Sequence, residues 1–324
     1  MAQSSPVSQT AAAQSAAPVS QVSTSSANNS TGTPALLEGE AIFNRADQMI
    51  SSAKSSVLLE MYELGSSREI SLLEQKASQG IPVLVILDGT ESQSIAAMGE
   101  LKAHHVTVAV AHSPLINGGI EHAKMLVVDD AAVLIGGMNW GRGSYKNADC
   151  DVFLTGSSVQ EAKWVFERDW ALEGESIPAG VKQERATNQS ILAGQILLNQ
   201  LVATLDKANN IEAALFELSK RKLLATLEDR ARAGASVKVL LDTRFEKPSR
   251  KVLGALKAAG VQVKLYPDNQ VLHAKMLIAG NMLIVGSSNW SYDAFAKNHE
   301  LDVFTSNPVL LNEAQAAFNG FWQQ

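Results

Sequence analysis

His122-Ala-Lys124-Met-Leu-Val-Val-Asp129, followed by Gly136-Gly137-Met138-Asn139-Trp140, is the stretch from which the rest of the chain can be read. It occurs a second time as His273-Ala-Lys275-Met-Leu-Ile, followed by Gly286-Ser287-Ser288-Asn289-Trp290. Side chains two residues apart on an extended strand point to the same face, so each copy presents an imidazole beside an ammonium. The Gly-small-x-Asn turn that follows can return an amide to the same pocket. One His-x-Lys recurs by chance. Two copies, each with Asn and Trp at nearly equal distance, argue for a duplicated site.

The flanks of the two copies repeat as well. Upstream of the first, residues 41–53 have helical spacing, 56–64 (SVLLEMYEL) read as a buried strand, and 70–77 as a helix stopping near Gly80. Residues 81–88 (IPVLVILD) are a near-continuous apolar run, as in a strand covered on both faces. A helix over 96–103, a strand over 106–110, the motif strands 124–129 and 132–135, and a helix over 159–170 complete this half. The second half runs in the same order: helix 197–208, strand 211–218 (IEAALFEL), helix 223–233, strand 237–242 (VKVLLD), helix 253–259, strand 261–265, the motif, and helix 309–322. The interval from Glu63 to Asp88 equals that from Glu217 to Asp242, so the repetition extends beyond the motifs. Alternating strands and helices predict an α/β fold of two duplicated halves, each a mostly parallel or mixed sheet flanked by helices. The halves, 35–173 and 191–324, are expected to pack about a pseudo-twofold axis and build one site from both motifs. Residues 1–34, rich in Ser, Ala and Gln, are expected to be disordered. Residues 174–190 are expected to form a linker.

Composition sets the outer limits. The chain has 324 residues, 46% of them hydrophobic, enough for a large core. Its net charge of -6 disfavours non-specific coating of nucleic acid without excluding a local basic groove. A single cysteine, Cys150, allows no internal disulfide. No apolar run approaches the ~20 residues of a membrane-spanning helix. No secretory leader is evident, so the expectation is a soluble protein, cytoplasmic or exported with its leader removed.

Two His, two Lys and two Asn in one pocket suit an anion, with lysines as point charges and amides as neutral donors. No Cys or carboxylate cluster with metal-ligand spacing accompanies them, so neither metal nor cofactor is expected. With a phosphate between two imidazoles, one attacks phosphorus while the other protonates the leaving oxygen. A nucleophilic imidazole needs a partner on its second nitrogen. Matched segments supply candidates: Asn147-Ala-Asp149-Cys-Asp151-Val-Phe153 and Asn298-His-Glu300-Leu-Asp302-Val-Phe304. Asp149 and Glu300 are assigned that role.

These residues resemble the phospholipase D superfamily, whose signature is a duplicated His-x-Lys-x4-Asp-x6-Gly-Ser with Asn close behind. The resemblance covers the chain after Pro34. It implies a metal-independent phosphodiesterase with a phosphohistidine intermediate at one site between two α/β halves. It further implies that His122 is the nucleophile and His273 the acid, an assignment the near-symmetric residues leave open. The first copy has Gly137 where Ser is usual. The second keeps Ser287 but is one residue shorter before its turn and has Gly280 and Asn281 where the first has Asp129. Asp129 is expected to support structure near the motif.

Other conspicuous residues read as structural. Trp140 and Trp290 are expected in the core and Cys150 as buried and inert, while Asp88 and Asp242, at strand ends, read as structural helix-entry residues rather than as groups supporting the site. His104, His105, His112 and His299 have no duplicated counterparts and are expected at the surface or in loops. The loop after Asp242 carries Arg244, Lys247, Arg250 and Lys251. Arg244 and Lys247 are assigned to substrate binding, either a phospholipid headgroup at a membrane surface or a nucleic-acid backbone. The reading preferred here is phospholipid headgroup hydrolysis or transphosphatidylation. A metal-independent endonuclease and a phosphate- or lipid-binding protein without turnover are the alternatives. Because duplication supplies both motifs, a monomer is expected.

Overall fold

The computed structural model of the chain describes residues 32–176, 190–244 and 247–324. The segment 1–34 therefore lies outside the described residues except for 32–34, and the linker 174–190 except for its two ends. Residues Gly32–Gln324 draw together as one compact unit.

The first half runs β1 (Ala35–Glu38), α1 (Glu40–Ser52), β2 (Val57–Met61), α2 (Ser67–Ser78), β3 (Val83–Leu87), α3 (Ser92–Ala103), β4 (Thr107–Val110), β5 (Lys124–Val128), β6 (Ala132–Gly136), β7 (Cys150–Leu154) and α4 (Ser157–Leu172). The second runs β8 (Ile191–Leu192), α5 (Gly194–Lys207), β9 (Asn210–Leu215), α6 (Arg221–Arg232), β10 (Ser236–Leu241), α7 (Arg250–Ala258), β11 (Gln262–Leu265), β12 (Lys275–Ala279), β13 (Met282–Gly286), α8 (Tyr292–Ala296), β14 (Asp302–Thr305) and α9 (Pro308–Gln323). Each half holds a seven-stranded mixed sheet, ordered β1-β7-β6-β5-β2-β3-β4 and β11-β10-β9-β12-β13-β14-β8. Among the described strands, β2–β3–β4 and β9–β10–β11 pair in parallel and the others antiparallel. The edge strands β1 and β8 and the short helix α8 had no sequence signal, because pieces this short carry no readable period.

Strand alternation explains the layers. Met125 and Val127 of β5 face a central core, while Leu126 and Val128 face outward. Met276 and Ile278 of β12 face that same central core, and Leu277 and Ala279 face outward. The outer faces are covered by α1, α2 and α3 in the first half and by α5, α6, α7 and α8 in the second. The central core also takes Phe166 and Trp170 of α4 and Phe318 and Phe321 of α9, so one hydrophobic interior joins the halves. Both faces of every central strand are therefore apolar, which is why the sequence shows runs rather than alternation.

The joint is reciprocal. Glu161 of α4 accepts from the N–H groups of Ser190 and Ile191 at 2.6 and 2.8 Å, and so holds β8 of the other half. Glu313 of α9 accepts from the N–H of Leu36 in β1 at 2.7 Å. Each closing helix thus satisfies the edge strand of its partner half. Among the described residues, no helix is long and apolar enough to cross a membrane.

Candidate active site

The motif strands β5 and β12 run antiparallel to β2 and β9, with Lys124 opposite Met61 and Lys275 opposite Leu215. This register puts both His-x-Lys segments at the carboxyl ends of the parallel strands, where α/β proteins place their ligands. Asp88 and Asp242, just past β3 and β10, brace the approach. Asp88 accepts from Glu121 N at 2.9 Å, and Asp242 from Leu272 N at 2.9 Å, each the residue before a motif histidine.

The backbone brings the two motifs together across the pseudo-dyad. His122 donates its N–H to His299 O at 2.9 Å, and His273 donates its N–H to Ala148 O at 2.8 Å. The carboxylates are exchanged between halves. His122 Nδ1 is 2.8 Å from Glu300 Oε2, and His273 Nδ1 is 2.6 Å from Asp149 Oδ2. Asp149 and Glu300 had been assigned as partners without saying which histidine each serves. Only the folded chain reveals the crossing.

All four groups are buried, and both carboxylates are inaccessible to solvent. Burial pushes Asp149 and Glu300 up, but the histidine and lysine charges facing them pull further, so both end below the usual carboxylate range. Burial lowers both imidazoles, and the lysines add to it, taking His273 down to about 4. Each free-protein imidazole is therefore neutral near pH 7, with its Nδ1 beside a carboxylate that can hold the N–H there. An aromatic ring stands against each: Tyr62 at 5.0 Å from His122 and Phe216 at 4.9 Å from His273, between ring centroids.

The lysines are poised for an anion. Burial drives Lys124 down to about 7 and Lys275 to about 8, partly offset by the nearby carboxylates. Each charge also acts on the other across the dyad. Lys124 Nζ donates to the His122 carbonyl and lies 5.1 Å from the Tyr62 ring. Lys275 Nζ donates to the His273 carbonyl and stands 3.0 Å from His273 Nε2. The carbonyl oxygens of Asn139 and Asn289 are buried without a hydrogen-bond partner.

The turns carrying the asparagines are shaped by their glycines. A Cβ on Gly136 would meet Asp151 Oδ1 at 2.2 Å, and one on Gly286 would meet Asp302 Oδ1 at 2.0 Å. Those aspartates accept from Met138 N and Ser288 N, both at 3.0 Å. The next position differs between halves. Ser287 donates to Glu300 Oε2 at 2.6 Å, whereas a Cβ on Gly137 would meet Asp149 Oδ1 at 2.4 Å. The glycine departure from the family pattern thus leaves room for the shorter carboxylate. Trp140 and Trp290 are buried, and their carbonyls accept from Gly65 and Ser66, and from Ser219 and Lys220, fixing each turn to the loop after β2 or β9.

Not every assigned residue reaches the site. Asp129 follows β5 at the end remote from His122. Its carboxylate accepts from the backbone of Lys54, Ser55 and Ser56 at 2.7–3.0 Å, bracing the turn between α1 and β2. Burial raises its carboxyl, but these hydrogen bonds carry it below the ordinary value. Asp129 has φ 58 and its counterpart Gly280 has φ 61, so the second copy keeps the left-handed turn with glycine. Arg244 and Lys247 sit on the exposed loop beyond the carboxyl end of β10, with Arg244 N bonded to Asp242 at 3.0 Å. Beside Asn289 opens a groove of about 520 Å³ lined by Gly119, Ile120, Glu217, Ser219, Tyr292 and Asn298. His104, His105 and His112 are exposed as expected, but His299 is not: it is buried against Glu60 and Asp169. Sequence reading also passed over Tyr62 and Phe216, although an aromatic residue precedes Glu63 and Glu217 in both copies.

The comparisons agree with this architecture. A family model described as cardiolipin synthase, phospholipase D-like domain, matches residues 47–170 and 201–322. A cardiolipin synthase of Halalkalibacterium halodurans is 28% identical over 319 residues, which is 85% of this chain but only 63% of that protein. Among solved structures, a phosphatidylserine synthase of Haemophilus influenzae superposes with TM-score 0.67 at 12% identity, over 90% of this chain and 86% of the other. A polyphosphate kinase of Porphyromonas gingivalis gives TM-score 0.68 at 14% identity, over 90% of this chain and 47% of the other. At such identity the two structures speak for the fold alone. The duplicated motifs, the crossed histidine–carboxylate pairs and the family match over both halves lead to one conclusion: the chain belongs to the phospholipase D superfamily.

Proposed function

We propose that the chain is a phosphatidyl-transferring phosphodiesterase acting on phospholipids through a phosphohistidine intermediate, with no metal ion among the reacting atoms. The observation that carries this reading is the crossed pairing of two neutral, buried imidazoles with carboxylates of the opposite half. His122 Nε2 attacks phosphorus, the bond from phosphorus to the headgroup oxygen breaks, and His273 gives its proton to the departing alcohol. An acceptor hydroxyl then yields its proton to His273 and attacks phosphorus, breaking the bond to His122. Both lysines donate to the carbonyl of their own histidine, and Lys275 Nζ lies 2.9 and 3.0 Å from the two ring nitrogens of His273, over the ring; His122 is taken as the nucleophile from the family resemblance.

His273 starts neutral and must be protonated to act as the acid. An incoming phosphodiester anion supplies the missing negative charge and draws Lys124 and Lys275 toward itself, which raises the imidazole. The same lysines and the amides of Asn139 and Asn289 stabilise the charge on the equatorial oxygens. Glu300 and Asp149 hold Nδ1–H in place and keep Nε2 aimed. Transfer to an alcohol is preferred to hydrolysis on two grounds: the relatives that match over most of the chain are cardiolipin synthases, whereas a mitochondrial cardiolipin hydrolase of Xenopus laevis matches only 38% of it, and the groove beside Asn289 offers hydroxyl and amide groups suited to a polyol. Arg244 and Lys247 would hold anionic headgroups at the membrane surface.

The test is to incubate the protein with phosphatidylglycerol vesicles, without added metal, beside His122→Ala. Cardiolipin and free glycerol from the wild type alone is the expected outcome. Phosphatidic acid alone would make the enzyme a hydrolase. Cleavage of plasmid DNA with lipids untouched would replace the reading with a nuclease, and no turnover of either with a binding protein.

A further inference from the structure

Behind His122 lies a second group of buried polar side chains that the proposed reaction does not use. Glu60 comes from β2, Asp169 from α4, and His299 from the segment between α8 and β14. Glu60 and Asp169 are wholly buried and His299 is 5% exposed. One ligand atom from each lies within 4.8 Å of the others. His299 Nε2 stands 3.1 Å from Asp169 Oδ2 and 3.8 Å from Glu60 Oε2. None of these three atoms completes a hydrogen bond, and neither does Oε1 of Glu60. Glu121, immediately before His122, adds a further buried carboxylate whose Oε2 has no partner and whose charge acts on all three.

The other half shows that the fold does not require these groups. Glu60 pairs with Met125 as Ala214 pairs with Met276, so Ala214 occupies the related place. The bridge between Glu121 and His299 is matched by one between Leu272 and Ala148. The stacked Phe166 and Trp170 recur as Phe318 and Trp322, which aligns Asp169 with Phe321. All four counterparts are apolar and belong to the central core. A charged set therefore stands where its twin keeps ordinary packing, and unpartnered buried carboxylates are costly unless something compensates them.

Spacing and charge identify the compensation. Ligand atoms arranged tetrahedrally at ~2.1 Å from an ion stand roughly 3.4 Å apart. The two distances from His299 Nε2 bracket that value. Arg168 donates to Asp169 Oδ1 at 2.7 Å, leaving Oδ2 toward the cluster and offsetting one carboxylate. Burial lowers His299, but Glu121 and Asp169 raise it well above its ordinary value, so a bound divalent cation would replace that proton and face the carboxylates of Glu60 and Glu121, which burial raises in its absence. We infer that Glu60, Asp169 and His299, supported by Glu121, form a binding site for a first-row divalent cation, Zn²⁺ foremost, that clamps the two halves behind the His122 strand. The cation is structural: it fixes His299, whose carbonyl receives the His122 N–H, and stays clear of the phosphate. The ligands are scattered from residue 60 to residue 299, which is why no motif spacing announces them.

The site is tested on the full chain by metal content after Zn²⁺ loading and gel filtration, and by Tm with and without Zn²⁺. The wild type should retain close to one equivalent, gain several degrees in Tm on loading, and show visible d–d bands when Co²⁺ is loaded instead. His299→Ala should lose all three effects. So should the combination E60A, E121L, D169F and H299A, which copies the core of the other half and should fold with a normal circular-dichroism spectrum. Should His299→Ala fail to fold, X-ray absorption of the Zn²⁺-loaded wild type decides, with imidazole scattering expected. Wild type that holds no ion and whose Tm ignores Zn²⁺ and Mn²⁺ overturns the proposal. Retention of the equivalent by the combined variant, or a spectrum lacking an imidazole, does the same. Each readout is independent of lipid turnover, so failure here leaves the proposed reaction standing.

Discussion

The two halves share a backbone plan and differ in what they place around their histidines. His122 is held by the longer carboxylate, Glu300, which also receives Ser287 Oγ and, on its other oxygen, Asn298 Nδ2 at 3.1 Å. His273 is held by the shorter Asp149, whose other oxygen accepts the N–H of Cys150 at 2.9 Å, and Gly137 stands where the other half has Ser287. Tyr62 backs the first imidazole and Phe216 the second. A symmetric scaffold gives one pocket two equivalent imidazoles, but a nucleophile and an acid have different needs. The divergence lies in the groups that touch the imidazoles, while the strands that present them stay alike.

The sharpest way to break this comparison is to remove each histidine in turn. His122→Ala and His273→Ala should each cut turnover of phosphatidylglycerol by about 10⁴-fold or more. They should separate on a substrate with a p-nitrophenolate leaving group, which needs no proton. There His273→Ala should still release one equivalent in a burst, and His122→Ala none. A burst from both variants would remove the distinction between nucleophile and acid.

Next come the lysines. Lys124→Met and Lys275→Met should each lower kcat/KM by roughly 100-fold, the scale for losing one donor to a developing oxyanion. Deprotonation removes the charge that binds phosphate, so kcat/KM of the wild type should fall as pH rises through about 7 to 8. Stability runs the other way. Burial places both folded-state values below 10.5, so between those values the unfolded chain holds more protons and stability rises with pH. Chemical denaturation from pH 6 to pH 10 should show that rise, flattened in the methionine variants. A flat wild-type curve would mean the lysines keep their full charge when buried.

The carboxylates probe the halves more finely. Glu300→Gln and Asp149→Asn should each reduce turnover by about 100-fold while the circular-dichroism spectrum persists. Gly137→Ser should lower it by roughly tenfold, because the added Cβ displaces Asp149, and the loss should shrink with the p-nitrophenolate substrate. The smallest effect on activity belongs to Asp129. Asp129→Ala should cost about 1–2 kcal/mol of stability, as for a lost backbone cap, and leave turnover within twofold. A large loss of turnover there would return Asp129 to the site.

Much of this was legible in the sequence. The duplicated motif, the equal Glu63–Asp88 and Glu217–Asp242 intervals and the apolar runs announced two α/β halves, because covered strands and paired motifs leave periodic marks. Asp149 and Glu300 were visible as candidates because their contexts match. Their exchange between halves was not, because residues 178 and 124 apart meet only through the packing of one half on the other. Asp129, expected to support structure near the motif, hangs from the end of β5 remote from His122 and braces the turn between α1 and β2, a placement that adjacency in sequence does not reveal. His299 had no twin, which argued for a surface residue, yet that lack of a twin is the mark of its buried cluster.

The central claim is that one phosphorus is handled by both halves at a single site and is carried by His122. Alkaline quench of His273→Ala during turnover of a ³²P-labelled p-nitrophenyl phosphodiester, followed by peptide mapping, tests it directly. The account predicts one labelled histidine per chain, on the peptide containing His122. Label on two histidines per chain, or steady product release from the wild type with no labelled histidine at any time, would contradict it.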